Sequence, residues 1–267
     1  MRIIILTGSE IRHEYFRKKI ASDPRISVLR SFCEGVEESL ENRIRNNKNS
    51  STLEAQHAEA RLQSEKDFFR DFISTQTDES MPTQIAKGAI NDITVVSSII
   101  DLNPDLIVCY GASLIKSELL SVFRNRFLNI HLGLSPYYRG SGTNVWPLIN
   151  GELDMVGATF MHIDAGIDSG EIIHQIRAEV FIGDGPHTIG NRLISVMTST
   201  CIDVIVGFRS LCHEVQPKCE GKLYLVKDFD SSSCRRLYTN FETGMVRNYL
   251  GAEKSLPYIV TNKGLLS

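Results

Sequence analysis

The sequence lacks the charge and the apolar runs that mark several common protein classes. It has no excess of basic residues, because 29 Lys and Arg stand against 32 Asp and Glu, for a net charge of -3. This balance gives no general reason to bind a nucleic acid or another polyanion. The opening MRIIILTGSE is apolar over too short a stretch for a signal peptide or a membrane span. We therefore expect a cytoplasmic protein that does not associate with membranes.

Paired cysteines are also missing. The six cysteines are scattered, without a CxxC pair. Cys212 and Cys219 flank His213, but this spacing matches no common zinc pattern. The sequence thus predicts free thiols in a reducing compartment and no bound metal.

Short apolar runs that alternate with helical patterns fill most of the chain. RIIILTG and DLIVCYG are typical of buried parallel strands that end in a glycine turn. Similar alternation continues to about residue 210 and predicts an α/β fold with a doubly wound, mostly parallel, Rossmann-like sheet. We assign residues 1–212 to this domain. Residues 213–267 are predicted to be a small C-terminal appendage, either a contact in a homodimer or a wall of a pocket.

The polar segment 34–73 interrupts this alternation. Its charge and its sparse apolar positions predict two surface helices, of which the second, residues 53–73, covers part of the sheet. In the first helix of the domain, Ser9 is the predicted N-cap. The basic side chains between residues 12 and 19 are predicted to form a solvated face. Gly8, Ser9 and Arg12 could instead meet a phosphate at the N-terminus of this helix.

Polar side chains stand at one predicted strand end, in RFLNIH. Asn129 and His131 are two residues apart in this strand, so their side chains point to the same face. Ligands of open α/β sheets bind outside the carboxyl ends of the strands. A buried, hydrogen-bonded histidine fits this pattern as well as a catalytic one does. The following loop, SPYYRGSG, carries Tyr137 and Arg139 and has the composition of a substrate-facing loop.

A second motif, IDAGIDSGEI, places Asp168 in a glycine-rich loop between two predicted strands. Asp and Gly are turn formers, so a plain turn explains the loop equally well. Neither motif identifies a function by itself.

Taken in order, LNIH, SPYYRG, NGE and IDAGIDSGEI resemble the folate-dependent formyltransferase family. This family includes glycinamide ribonucleotide, methionyl-tRNA and sugar-nucleotide N-formyltransferases. The resemblance is close over residues 85–180. It implies the formyltransferase fold, N10-formyltetrahydrofolate as co-substrate, and a catalytic trio of Asn129, His131 and Asp168. The family often has Ser-Leu-Leu-Pro after its histidine, where this chain has Gly-Leu-Ser-Pro.

The same resemblance implies where the folate binds. Its pterin would lie against two loops, whose residues are Ser113, Leu114, Ile115, Ile163, Asp164, Ala165 and Gly166.

Formyl transfer needs a polarised carbonyl, a stabilised oxyanion, and a proton moved from the amine to the leaving nitrogen. Asn129 offers an amide donor that does not titrate. His131, when protonated, donates a second hydrogen bond and can act as general acid. Asp168 would orient the imidazolium and, through a water, relay the proton of the amine. Thr159 is a candidate for ordering that water.

The acceptor amine is predicted by elimination. A tRNA would favour a basic surface, and the stretch after the long apolar helix is short for the tRNA-binding domain of methionyl-tRNA formyltransferases. Glycinamide ribonucleotide enzymes are more compact. An amino-deoxysugar carried on a nucleotide, destined for a surface polysaccharide, fits best.

Two functions of other classes fit the sequence less well. A formyltetrahydrofolate hydrolase would carry an N-terminal regulatory domain, whereas this chain starts at the first strand of the sheet. A non-catalytic binding domain would not need Asn129, His131 and Asp168 together.

Overall fold

The computed structural model describes residues 1–35, 44, 51–164, 166–217, 221–254 and 256–265. Within these residues, seven strands form one sheet in the order β3-β2-β1-β4-β5-β7-β8. Neighbours from β3 to β5 are parallel, while β7 runs antiparallel to both β5 and β8. The strands of this sheet are β1 (Arg2–Thr7), β2 (Ser27–Glu34), β3 (Pro82–Ile85), β4 (Leu106–Tyr110), β5 (Phe127–His131), β7 (Gly157–Met161) and β8 (Ile172–Arg177). The predicted doubly wound, mostly parallel sheet is confirmed.

Helices cover both faces of the sheet. They are α1 (Ile11–Ala21), α2 (Thr52–Thr75), α3 (Ile93–Leu102), α4 (Ser117–Val122), α5 (Trp146–Asn150), α6 (Pro186–Gly207), α7 (Ser231–Glu242) and α8 (Met245–Gly251). Alternate residues of β1 enter separate cores: Ile3 and Ile5 pack with α1 and α6, while Ile4 and Leu6 pack with α3 and α4. This alternation follows from the two-residue period of a strand.

Helix α2 shows why part of the polar segment folds onto the domain. Ser51 and Glu54 form a capping box that fixes its N-terminus, and Phe69 is fully buried against α1. The predicted second helix is therefore present, two residues longer at its C-terminus. The predicted first helix of residues 34–73 lies largely outside the described residues.

Three short strands were not predicted from the sequence, and each of them pairs with a distant segment of the chain. No strand was predicted from the sequence at the position of β3. Strands β6 (Tyr138–Gly140) and β9 (Lys222–Tyr224) form a separate parallel pair. Each of these strands has three or four residues and depends on a partner far away in the chain, so local periodicity is too short to reveal it.

Two predictions for α1 are wrong. The N-cap position is Glu10 rather than Ser9, whose hydroxyl donates to the Glu34 carbonyl at 2.7 Å. The basic face is not solvated, because α2 covers α1. Arg17 pairs with Asp78, and Lys18 donates to the Ile73 carbonyl at 2.8 Å.

Helix α6 is long and apolar enough to span a membrane, but 61% of its most apolar window is buried inside the domain. Ile189, Leu193 and Met197 belong to the core between α6 and the sheet. It is therefore a core helix.

Candidate functional site

A cavity of about 630 Å³ opens near β1 and β4. Between these two strands the order in which successive strands are added to the sheet reverses. The lining of the cavity includes Gly8 after β1, the loop after β4, and Asn129 and His131 of β5. Such switch points are where open α/β sheets bind ligands.

The structure places the side chains of Asn129 and His131 both against the carboxylate of Asp168. Asn129 Nδ2 donates to Asp168 Oδ1 at 3.3 Å, and His131 Nδ1 lies 3.4 Å from Asp168 Oδ2. The other ring nitrogen of His131, Nε2, lies 2.9 Å from the Tyr138 carbonyl, which can only accept. Both ring nitrogens thus face oxygen acceptors, and the protonated ring can donate to each.

The backbone of Asp168 has a conformation that few non-glycine residues adopt. Its φ is +50°, in the left-handed region, which Asp tolerates better than most residues. Its Oδ2 also accepts from the Gly140 amide at 2.9 Å. Position 140 needs glycine, because its φ is +90° and a Cβ would lie 2.1 Å from the Tyr224 carbonyl oxygen.

The loop after β4 is held in place by side chains from elsewhere. The buried carboxylate of Glu34 accepts from the Ser113 amide at 2.6 Å and from Lys87 Nζ at 3.1 Å. Asn91 donates to the Leu114 carbonyl at 3.0 Å and accepts from the Lys116 amide at 2.9 Å. As a result Leu114 is 63% exposed while Ile115 is buried.

Residues proposed for the folate by resemblance lie at the cavity. Those among the described residues all line it: Ser113, Leu114, Ile115, Ile163, Asp164 and Gly166. Ala165 lies outside the described residues.

Only two of the five residues proposed for the acceptor line the cavity. Gly8 and Arg12 line the cavity, and Arg12 pairs with Glu65 at 2.7 Å. Ser9, Tyr137 and Arg139 are not in its lining. The hydroxyl of Tyr137 donates to the Tyr258 carbonyl at 3.4 Å, and Arg139 Nη2 donates to the Gly221 carbonyl at 3.4 Å.

Several cavity residues were missed by sequence reasoning. His13 lies under Gly8 and Gly111, with Nδ1 2.5 Å from Glu10 Oε2. Burial lowers the pKa of His13, and burial raises the pKa of Tyr110 beside it. Burial alone would raise the pKa of Glu10, but the adjacent His13 and Arg12 bring it well below its usual range. No short motif marked this group.

The appendage residues Leu225, Val226 and Phe229 also line the cavity, beside Trp146. Trp146 stacks on Tyr224 with ring centroids 4.4 Å apart, as a packing residue would.

Thr159 cannot order a water as predicted. It is fully buried, its hydroxyl donates to the Gly133 carbonyl at 2.6 Å, and it accepts from Ser135 and Gln175. Those three bonds use its hydrogen-bonding capacity.

No group of three His, Cys, Asp or Glu side chains suited to a metal ion occurs within the residues that the structure describes. The fold and the site together define a doubly wound α/β protein with a ligand cavity at the switch point of its sheet. Residues 39–205 match the formyl transferase family. Since this match covers more than half of the chain, the protein belongs to that family.

Comparison with individual proteins gives two kinds of likeness. A methionyl-tRNA formyltransferase from Geobacter metallireducens is 41% identical over 112 residues, covering 41% of this chain and 35% of the relative. The chain thus spans about a third of the length of this curated relative.

Solved structures match over more of the chain but at lower identity. The N-formyltransferase from Helicobacter canadensis, in complex with folinic acid and dTDP-3-aminofucose, has a TM-score of 0.56 at 15% identity, covering 89% of this chain and 79% of that one. Phosphoribosylglycinamide formyltransferase from Anaplasma phagocytophilum has a TM-score of 0.55 at 16% identity, covering 84% and 98%. At these identities the likeness establishes the fold.

Proposed function

We propose that the chain transfers a formyl group from N10-formyltetrahydrofolate to a primary amine. The observation that carries this proposal is the contact of Asn129 and of His131 with the Asp168 carboxylate inside the cavity. Family membership supports formyl transfer, and the folinic acid bound by the Helicobacter canadensis enzyme supports a folate as donor.

The three side chains divide the chemical work. The amine nitrogen attacks the formyl carbon, the bond from this carbon to N10 breaks, and a proton passes from the amine to N10. Asn129 Nδ2 donates to the formyl oxygen as charge develops on it. Protonated His131 keeps Nδ1–H on Asp168, so its Nε2–H would pass from the Tyr138 carbonyl to N10, and the proton lost by the amine then restores the ring. Asp168 holds the imidazole through Nδ1 and balances its charge.

The pterin of the folate would lie against the loop after β4. Glu34 and Asn91 hold the backbone of this loop, through hydrogen bonds to Ser113, Leu114 and Lys116, before the ligand arrives. Preorganisation of this kind lowers the entropy cost of binding.

We expect Asn129→Ala to lower kcat by about 10²–10³-fold, because it removes one donor to the oxyanion. The KM for the folate should change little, since the amide acts on the formyl oxygen and not on the pterin. Steady-state kinetics with the folate varied would measure both. Asn248→Ala, an exposed change on α8 away from the cavity, is the matched control. A kcat close to wild type in Asn129→Ala would remove this residue from the mechanism.

We propose a nucleotide-linked amino-deoxysugar as the acceptor. The net charge of -3 does not favour a polyanionic tRNA, and dTDP-3-aminofucose is the ligand of a structural neighbour. The appendage would then serve as a wall of the acceptor pocket, through Leu225, Val226 and Phe229. Methionyl-tRNA is the second candidate, because the curated relative of 41% identity is named methionyl-tRNA formyltransferase.

A side-by-side comparison of acceptors tests this choice. Initial rates would be measured with 3- and 4-amino-deoxysugar nucleotides, glycinamide ribonucleotide and methionyl-tRNA, at one folate concentration. We expect a sugar nucleotide to give the highest kcat/KM. Formylation of glycinamide ribonucleotide or methionyl-tRNA alone would show that the sugar proposal is wrong. Formate release that does not depend on any amine would indicate a hydrolase.

A further inference from the structure

Gln216 connects the segment after α6 to the turn that carries Asp168. Its side-chain Nε2 donates to the Asp168 carbonyl at 3.0 Å and to the Gly170 carbonyl at 2.8 Å. One amide group therefore bridges both ends of the three-residue turn 168–170. Gln216 lies beyond residues 39–205, the part of the chain that matches the family.

The backbone on which Gln216 stands is itself anchored to the sheet. Glu214 and Ile172 exchange backbone hydrogen bonds of 2.8 Å in each direction, next to the start of β8. The Gln216 side chain thus projects from a fixed segment.

The turn 168–170 needs contacts from outside the turn to keep its conformation. Asp168 has a φ of +50°, in the left-handed region, and such a conformation of a non-glycine residue persists where surrounding contacts over-determine it. Position 170 admits no side chain, because a Cβ there would lie 2.0 Å from the His162 carbonyl oxygen. The carboxylate of Asp168 must meanwhile reach Asn129, His131 and the Gly140 amide.

We propose that Gln216 is a positioning residue, which keeps turn 168–170 in the one conformation that aims the Asp168 carboxylate at His131. This inference rests on the proposed function, in which Asp168 orients His131. It implies that the region after α6 completes the catalytic site as well as lining the pocket.

The test compares Gln216→Leu, which removes both donors at nearly constant volume, with Gln63→Leu on the exposed face of α2 as control. We expect kcat of Gln216→Leu to fall by about 10²-fold, the usual cost of a small misplacement of reacting groups. The KM values for folate and acceptor should stay near wild type. In an Asp168→Ala background, Gln216→Leu should add no further loss, since it acts through that carboxylate.

Amide hydrogen exchange supplies a readout that does not need activity. Exchange of peptides spanning residues 162–171 should accelerate in Gln216→Leu, and in Gln216→Glu if the leucine variant does not fold. Unchanged exchange, or a loss of kcat that adds fully to that of Asp168→Ala, would overturn the proposal. If the wild-type protein transfers no formyl group to any acceptor, the proposed function fails, and the exchange result alone decides whether Gln216 holds the turn.

Discussion

Replacing Asp168 by asparagine is expected to reduce formyl transfer by roughly 10³–10⁴-fold, the scale found when the carboxylate that orients a catalytic histidine is neutralised. The carboxylate accepts from Asn129, from the Gly140 amide and, when His131 is protonated, from its Nδ1. An asparagine retains one acceptor oxygen and presents an NH₂ group in place of the other, so it cannot serve all three donors.

The loss should appear in kcat at saturating folate and acceptor. Asp101→Asn, an exposed change on α3, is the control for altered charge. Thermal unfolding of each variant separates a chemical defect from a folding defect. Turnover of Asp168→Asn comparable to wild type would contradict the role of this carboxylate.

Replacing His131 by alanine is expected to cost about 10²–10⁴-fold in kcat, the contribution of a positioned general acid. The ring lies between the Asp168 carboxylate and the Tyr138 carbonyl, and only 7% of the residue is exposed. Its removal leaves the Tyr138 carbonyl without this donor, for which we expect about 1–3 kcal/mol of lost stability.

The comparison therefore needs kcat per folded molecule, with the folded fraction taken from circular dichroism. His213→Ala, a half-exposed histidine that pairs with Glu171, is the matched control and should turn over like wild type. If His131→Ala retained normal turnover while folded, the proton would have to be moved by another group.

The three residues of the proposed site were predicted on different grounds. Asn129 and His131 follow from a strand whose two-residue period places them on one face, at a strand end where ligands bind. Asp168 carries no such local signal, because a glycine-rich turn is common. Only the ordered motifs shared with a known family linked Asp168 to the strand, and the structure places Asn129 and His131 both in contact with it.

The pocket around these residues was largely not predictable. His13, Tyr110 and Phe229 come from α1, β4 and the region after β9, and each lines the cavity only because the sheet brings these segments together. The basic residues of α1 show the same limit: their charge predicted a solvated face, but α2 covers them and supplies partners. Ser9 is not the N-cap as predicted, because α1 begins at Ile11 and this places Glu10 at the cap position, while the Ser9 hydroxyl donates to the Glu34 carbonyl.

The main strands and helices were more reliable than the short ones. Buried runs such as β1 and β4, and helix α3 with its end at Asn103, carry their pattern within a few residues. Strands β3, β6 and β9 carry none, since their stability comes from pairing with distant segments.

The most direct measurement follows an isotopically labelled formyl group on N10-formyltetrahydrofolate. The folate is mixed with wild-type protein and a pool of the four acceptors in a single turnover. We expect the label to leave the folate and to appear as an amide on one acceptor, in wild type and in His213→Ala but not in Asp168→Asn. Label that remains on the folate with every acceptor, or that moves equally fast in Asp168→Asn, would contradict folate-dependent formyl transfer at the Asn129, His131 and Asp168 site.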